Sequence, residues 1–485
     1  MNEYRSIIFI AVCGLLTQSG CTPDDASAER TAIRADASWP NILLISVDML
    51  RPDHLGCYGY TRETSPRIDR LASEGTLFEN AISSAPWTLP AHASLFTGLT
   101  DSAHGCVDTN RSLDPKLTTI AERLKAIGYA TVGFFSGPYL HPVFGLAQGF
   151  DEYIDCTSYS RLSDKTASST GTVEGSAIWE ASHSDVTNPR VYKAVQEWMR
   201  RSGDRRPFFM FVHMWDVHYD FTPPQPYDRK FDPDYQGPFD GSNFFFDQWI
   251  NARMDKRDLE HLIALYDGEI AWTDQYIGRI LDDLDALGLR DSTVVVLVAD
   301  HGTEFFEHGE KSHRKTLFDE VIKIPMIVRY PGRVPSGKRI AAQTSIIDVT
   351  PTILELIGLS TPKDVMGHSL VPLFSDGFFP LDRVVVSELA SLGRKMKSFR
   401  RRDWKLIRDE VTGRSWIYDL HADPEELHPL QDPDSPMVKA IQRAARLAEQ
   451  RLTTAGGRPQ SPDNESAISP KVLEKLKSLG YVGSQ

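Results

Sequence analysis

The chain has 485 residues, with 53 Lys+Arg against 66 Asp+Glu and a formal net charge of −13. At 41% hydrophobic and 25% charged residues the composition is globular, which excludes a disordered, collagen-like or fibrous protein. The acidic balance argues against a nucleic-acid partner, but a bound metal can override net charge locally, so anionic small substrates stay open.

Residues 7–16, IIFIAVCGLL, form an apolar run too short for a bilayer span, which needs about 20 residues, but of the length of a secretory h-region. Small residues lead from it to Cys21. The segment 1–21 resembles a bacterial lipoprotein signal, which implies lipidation of Cys21, export, and a chain held at the cell envelope. Residues 22–39 are polar and non-periodic, as a tether would be. Cys57, Cys106 and Cys156 allow at most one disulfide, and no CxxC pair suggests zinc.

The run at 41–47 (NILLISV) ends at Asp48, that at 208–212 (FFMFV) at His213, and that at 294–299 (VVVLVA) at Asp300. Continuous apolar runs of this length fit strands buried on both faces of a largely parallel sheet. Helical periodicity alternates with them, at 117–127 (Ile120, Leu124 and Ile127 on one face) before a strand at 129–135, and at 258–287. The expected fold is α/β: a large doubly wound, mostly parallel sheet sandwiched by helices, over residues 40–375. Residues 157–187 (Ser/Thr-rich) and 217–250 (TPPQP and Phe244–Phe246) read as irregular excursions. Short strands at 384–386, 404–407 and 416–418 and a helix at 436–452 predict a small C-terminal α+β subdomain over 376–453. A linker and a terminal helix at 470–479 complete the chain over 454–485.

Ligands in open α/β sheets gather at the carboxyl ends of strands. Asp48 and Asp300-His301 should therefore converge, and two carboxylates with one imidazole suit one divalent ion, Ca²⁺, Mn²⁺, Zn²⁺ or Mg²⁺, better than a soft metal. An aspartate at a strand end can also simply cap the next helix.

The stretches NILLISVDMLRPDHLGCYGY (41–60), PWTLPAHASLFTG (86–98), ADHGTEFFEHGEKSH (299–313), LFDEVIKIPMIVRYPG (317–332), DVTPTILELIG (348–358) and YDLHADPEELHPL (418–430) resemble, in this order and spacing, the sulfatase family of the alkaline phosphatase superfamily. The resemblance implies a metal-dependent hydrolase of sulfate or phosphate esters, with a metal on Asp48, Thr88, Asp300 and His301. It places the nucleophile at Thr88, where the family carries C/S-x-P-x-R. Pro90 suits a first helical turn, so Thr88 should sit just ahead of a helix N-terminus, whose unpaired N–H groups favour an anion. The bland alternative is an N-cap threonine.

The departures bear on the chemistry. Sulfatases proper convert a Cys or Ser here to formylglycine, and threonine cannot follow, because its Cβ already carries a methyl and oxidation would give a ketone. His92 replaces the motif arginine, Met49 stands where a second metal carboxylate often lies, and Phe134-Phe135 where a lysine is usual. Threonine is instead the pattern of nucleotide pyrophosphatases, phosphoethanolamine transferases and lipoteichoic acid synthase, which pass through a phosphoryl-threonine. Asn110 matches an asparagine that helps hold phosphate in the pyrophosphatases. HMWDVH (213–218) resembles the family's mid-chain histidine motif, so His213, His218 and His313 are expected at the substrate, with Asp216 supporting His218 or His313 and His308 in a loop that folds back. The expected substrate is an anionic ester that is small or part of a glycan or lipid. A phosphoester is favoured on chemistry over a sulfuric ester cleaved by metal-bound water. A catalytically silent envelope binding protein is the alternative of another class.

Overall fold

The computed structural model describes residues 39–158, 185–202, 207–375, 377–455 and 468. The expected signal segment with Cys21, the tether up to residue 38, most of the Ser/Thr-rich stretch and the terminal helix lie outside the described residues.

Eight strands build the main sheet: β1 (Asn41–Val47), β2 (Thr76–Ile82), β3 (Ala130–Phe135), β4 (Glu152–Asp155), β5 (Phe208–Met214), β6 (Thr293–Ala299) and, after the two-residue pair β7 (Glu304–Phe305) and β8 (Lys311–Ser312), β9 (Lys323–Arg329) and β10 (Lys338–Ser345). Their order is β10-β2-β9-β6-β1-β5-β3-β4. Only β9 runs against its neighbours, β2 and β6. The three apolar runs are the three central strands β6, β1 and β5, and every residue in them is buried, as a sheet covered on both faces requires.

The helices used below are α1 (Pro66–Glu74), α2 (Thr88–Thr97), α3 (Ile120–Ala126), α4 (Asn188–Arg201), α5 (Lys256–Ala286), α6 (Asp319–Ile322) and α7 (Pro436–Ala455). α4 packs on β3 and β5, and α1 on β2 and β9. The helix expected over 117–127 starts only at Ile120. Thr119 caps it by accepting the Glu122 N–H at 3.1 Å, while Glu122 accepts the Thr119 N–H at 2.8 Å, a reciprocal box that fixes the start. Residues 221–250 hold no regular element beyond a 3-10 turn at Tyr227–Arg229.

The C-terminal strands β11 (Val385–Ser391), β12 (Arg394–Arg401), β13 (Trp404–Asp409) and β14 (Ser415–Asp419) form an antiparallel meander. Phe399, Trp404, Leu406 and Ile417 pack there against Val438, Ile441 and Ala445 of α7. Among the described residues no helix is long and apolar enough to cross a membrane.

Candidate active site

β1 lies between β5 and β6, with Val47 opposite Ala299 and Ser46 opposite His213. Asp48 and Asp300 therefore leave the sheet side by side at its carboxyl edge. Backbone bonds set their positions. Asp48 N–H donates to the Met214 carbonyl at 2.9 Å, and Asp300 Oδ1 accepts from Met49 N at 3.3 Å and His301 N at 2.9 Å. Met49 takes the left-handed conformation (φ 55°), rare for a residue with a side chain. Tyr266 holds that turn, its hydroxyl donating to the Met49 carbonyl at 2.8 Å and accepting the Arg51 N–H at 2.9 Å.

Thr88 is the first residue of α2, one place later than expected, with Trp87 as the extended cap residue and no side-chain capping bond. The N-cap alternative is therefore not the geometry. The Thr88 hydroxyl turns inward and lies 3.4 Å from Asp48 Oδ2 and 3.4 Å from His301 Nε2. His301 Nδ1 lies 2.8 Å from the Gly302 carbonyl, which can only accept. Nδ1 therefore carries the proton, and Nε2 turns its lone pair towards Thr88. His301 Nε2 also lies 3.6 Å from Asp48 Oδ1 and 3.4 Å from Asp300 Oδ2.

Asp48 Oδ1 and Asp300 Oδ2 are buried without a hydrogen-bond partner. One ligand atom each of Asp48, Asp300 and His301 lie within 4.8 Å of one another. Burial pushes the Asp48 carboxyl up to about 7, against the pull of His301 and of the Thr88 hydroxyl. Burial and then the neighbouring Asp48 charge raise Asp300. Two orphaned carboxylate oxygens and an imidazole lone pair fit a hard or borderline divalent cation, which would offset the desolvation of both carboxylates.

The expected histidines surround this cluster. His213 Nε2 lies 3.4 Å from Asp48 Oδ2, and burial pushes its pKa down to about 4. The His313 ring sits 4.5 Å from that of His301 and 5.3 Å from that of His218, centre to centre. Burial, and next His301, push His313 well below the ordinary imidazole value, so it is neutral. His218 stacks on Trp215 at 3.8 Å and directs Nδ1 at the Tyr219 carbonyl, 2.7 Å away.

Two expectations need correction. Asp216 supports neither His218 nor His313, because it accepts from Thr187 N and Oγ1, Asn188 N and Trp272 Nε1; it caps the start of α4. Asn110 does not join the buried cluster. It is exposed in the turn after Cys106, where its carbonyl accepts from Ile468 N at 3.0 Å. His308 does fold back, its N–H donating to Glu304 Oε1 at 3.0 Å.

His92, noted in the sequence only as a lost arginine, is a positioning residue. Its Nδ1 donates to the Thr88 carbonyl at 2.8 Å, and its Nε2 meets Ser46 Oγ at 2.9 Å. Burial pushes its pKa down to about 4. With both nitrogens engaged, His92 offers no lone pair to a metal, although it lies close to His213 and Asp300. The spacing of Thr88 and His92, one helical turn, was the available signal. Arg314 was also missed. Its guanidinium lies over the Trp87 ring at 4.1 Å and donates to Tyr139 and Ser391, placing a cation against the residue before Thr88.

Residues 40–359 match the sulfatase family model, and residues 307–453 match that of the N-sulphoglucosamine sulphohydrolase C-terminal region. An arylsulfatase of Clostridium perfringens is 26% identical over 442 residues, covering 80% of this chain and 89% of that protein. A structure solved with its substrate D-glucosamine-2-N,6-O-disulfate superposes with a TM-score of 0.70 at 18% identity, covering 88% of this chain and 100% of that one. The phosphonate monoester hydrolase of Agrobacterium radiobacter superposes with a TM-score of 0.68 at 22% identity, covering 86% and 96%. The matched model spans the whole sheet and every residue of the buried cluster, and the chain belongs to the sulfatase family of hydrolases in the alkaline phosphatase superfamily.

Proposed function

We propose that the chain is an exported, metal-dependent ester hydrolase that uses Thr88 as nucleophile and prefers phosphate mono- or diesters to sulfate esters. The observation that carries this reading is the Thr88 hydroxyl, buried at the start of α2 and 3.4 Å from both Asp48 Oδ2 and His301 Nε2. Asp48, Asp300, His301 and the Thr88 oxygen would hold one divalent cation, which when bound supplies Lewis acidity to the hydroxyl and the ester. His92 holds the Thr88 carbonyl and so fixes the direction of the nucleophile. In the first step Thr88 Oγ1 bonds to phosphorus, its proton passes to Asp48 Oδ2, and the bond to the leaving oxygen breaks with that oxygen keeping the electron pair. Neutral His313 acts as an N–H donor to an ester oxygen, His218 packs beside it with its Nδ1 proton held by the Tyr219 carbonyl, and Arg314 supplies positive charge nearby. Water then attacks the phosphoryl-threonine, the P–Oγ1 bond breaks as Thr88 Oγ1 recovers the proton from Asp48, and phosphate (from a monoester) or a phosphate monoester (from a diester) leaves. A sulfo-threonine lacks the aldehyde-hydrate exit of formylglycine, which is why phosphate is favoured. The relatives' names include both sulfatases and phosphonate monoester hydrolases.

Thr88→Ala should lower kcat on an aryl phosphodiester on the order of 10³-fold or more while the protein stays folded, and Thr88→Ser should retain a measurable fraction. Mass spectrometry of wild type quenched with a slow phosphoester should find the phosphoryl group on Thr88. Sulfate-ester hydrolysis undiminished in Thr88→Ala would replace this reading with a sulfuric ester hydrolase that uses water directly. Export and anchoring rest on residues 1–21. Cys21→Ala should leave the protein exported but shift it from the membrane to the soluble fraction, because covalent lipid would be the anchor. An unmodified protein found soluble would remove the anchor from the proposal.

A further inference from the structure

The geometry points to a second divalent-cation site, built from His308, Glu320 and Glu426, that joins the main sheet's loops to the C-terminal subdomain. It uses none of the residues placed around Thr88 and does not depend on the reading of that site. His308 sits in the turn between β7 and β8, Glu320 in α6, and Glu426 in the loop after β14. One nitrogen of His308 and one oxygen of each glutamate lie within 4.8 Å of one another. His308 Nε2 and Glu320 Oε2 are each buried without a hydrogen-bond partner, and Glu426 Oε1, also buried, has only an ionic contact to Lys405 Nζ at 2.7 Å. The side chains are nearly enclosed, 8% exposed for His308, 13% for Glu320 and 1% for Glu426. Orphaned buried polar atoms are rare because desolvating them costs free energy, and two that converge beside a third buried carboxylate oxygen, all from separate segments, share one remedy.

The donor set fits a borderline cation. Bonds of about 2.0–2.2 Å to one imidazole and two carboxylates, in a tetrahedron completed by water, put ligand atoms about 3.3–3.6 Å apart. His308 Nε2 and Glu320 Oε2 are 3.5 Å apart. The imidazole is held in place by stacking on Phe318 at 3.5 Å, with 10° between the rings. A proton shared between His308 and Glu320 would satisfy two of the three atoms and leave Glu426 Oε1 with its 2.7 Å ionic contact to Lys405 alone. A cation satisfies all three, and Lys405 still serves Glu426 Oε2 at 2.9 Å.

The test uses the full chain stripped with chelator, zinc as the probe, and metal counted per chain after gel filtration, with melting curves to confirm the fold. Asp300→Asn, which disables the cluster at Thr88, should keep one zinc that is lost in the Asp300→Asn/His308→Gln double variant. Cobalt substituted into Asp300→Asn should show the visible absorption of a tetrahedral site. Glu320→Gln, a change of similar shape, should weaken zinc at least tenfold, which covers the case in which His308→Gln fails to fold. One zinc in wild type and Asp300→Asn but none in His308→Gln would sustain this site while refuting zinc at Thr88. No zinc in folded Asp300→Asn, or the same zinc with and without His308, would overturn it.

Discussion

Asp48 ties the proposed chemistry to pH. In the folded chain without metal, burial keeps its carboxyl protonated up to about 7, whereas an unfolded chain releases that proton near the ordinary value of about 4. Between those values the folded state binds more protons, so the contribution of Asp48 to stability is full below about pH 4 and is lost as pH rises towards 7. His92 and His213, pushed down to about 4 by burial, have the opposite sign. The unfolded chain takes up their protons below about 6.5, and stability falls as pH drops through that range. A divalent cation on these ligands displaces the Asp48 carboxyl proton, whereas His92 and His213 lie outside the proposed ligand set. The extra melting temperature that Mn²⁺ gives wild type over Asp300→Asn should therefore grow from about pH 5.5 to about pH 7.5. Thermal scans at the two values would decide it, and an equal difference at both would remove Asp48 from the metal's ligands.

At the scale of elements, the site depends on how closely the loop after β6 approaches α6. Gly302 N–H donates to the Val321 carbonyl at 2.8 Å, and a Cβ on Gly302 would fall 2.1 Å from the Glu320 carbonyl oxygen. Gly302→Ala must push the loop off α6 and carry His301 with it. The expected cost is about 1–3 kcal/mol of stability, with a larger fractional loss of kcat than of folded protein, both measurable on one preparation. β1, β5 and β6 were legible in the sequence because both faces of each are covered, which leaves an uninterrupted apolar run ending at the residue that faces the site. β2 (TLFENAI) and β10 (KRIAAQTS) were not, since polar and charged residues interrupt them and they pair with each other from far apart in the chain, with β9 on the other side of β2. β12 (RKMKSFRR) was missed for a sharper reason: five of its eight residues are basic, and only tertiary contacts let such a segment bury Phe399 and Arg400. The same division holds in the site. Asp48, Asp300 and His301 were readable as strand ends, and His92 only through its one-turn spacing from Thr88, whereas the work of Tyr266 and Arg314 consists of contacts between distant segments that no local spacing reveals.

At the scale of the molecule, the small sheet is joined to the main one through Asp319. Arg400 on β12 donates to both oxygens of Asp319, at 3.0 and 2.7 Å, and also to Gln343 on β10 at 2.7 Å, while Lys405 on β13 reaches Asp319 at 2.8 Å. Burial alone would raise the Asp319 carboxyl, but Arg400 and Lys405 outweigh it and hold it well below the usual carboxylate range. Its contribution is therefore present above about pH 4 and is lost as pH falls further. Asp319→Ala leaves the Arg400 and Lys405 side chains, 5% and 0% exposed, short of a counter-charge, which costs about 3–5 kcal/mol for a buried ion pair broken on one side. Asp403→Ala, which breaks the more exposed pair with Arg401, should cost less than about 1 kcal/mol. Because the lost contacts cross between the sheets, the urea midpoint should fall together for Trp404 and Trp416 in the small sheet and for Trp87 and Trp215 beside the site. Single-tryptophan variants followed by fluorescence would show this. A small sheet that unfolded first in Asp319→Ala, leaving the midpoint reported by Trp87 unchanged, would mean that the site does not need the C-terminal subdomain for its stability.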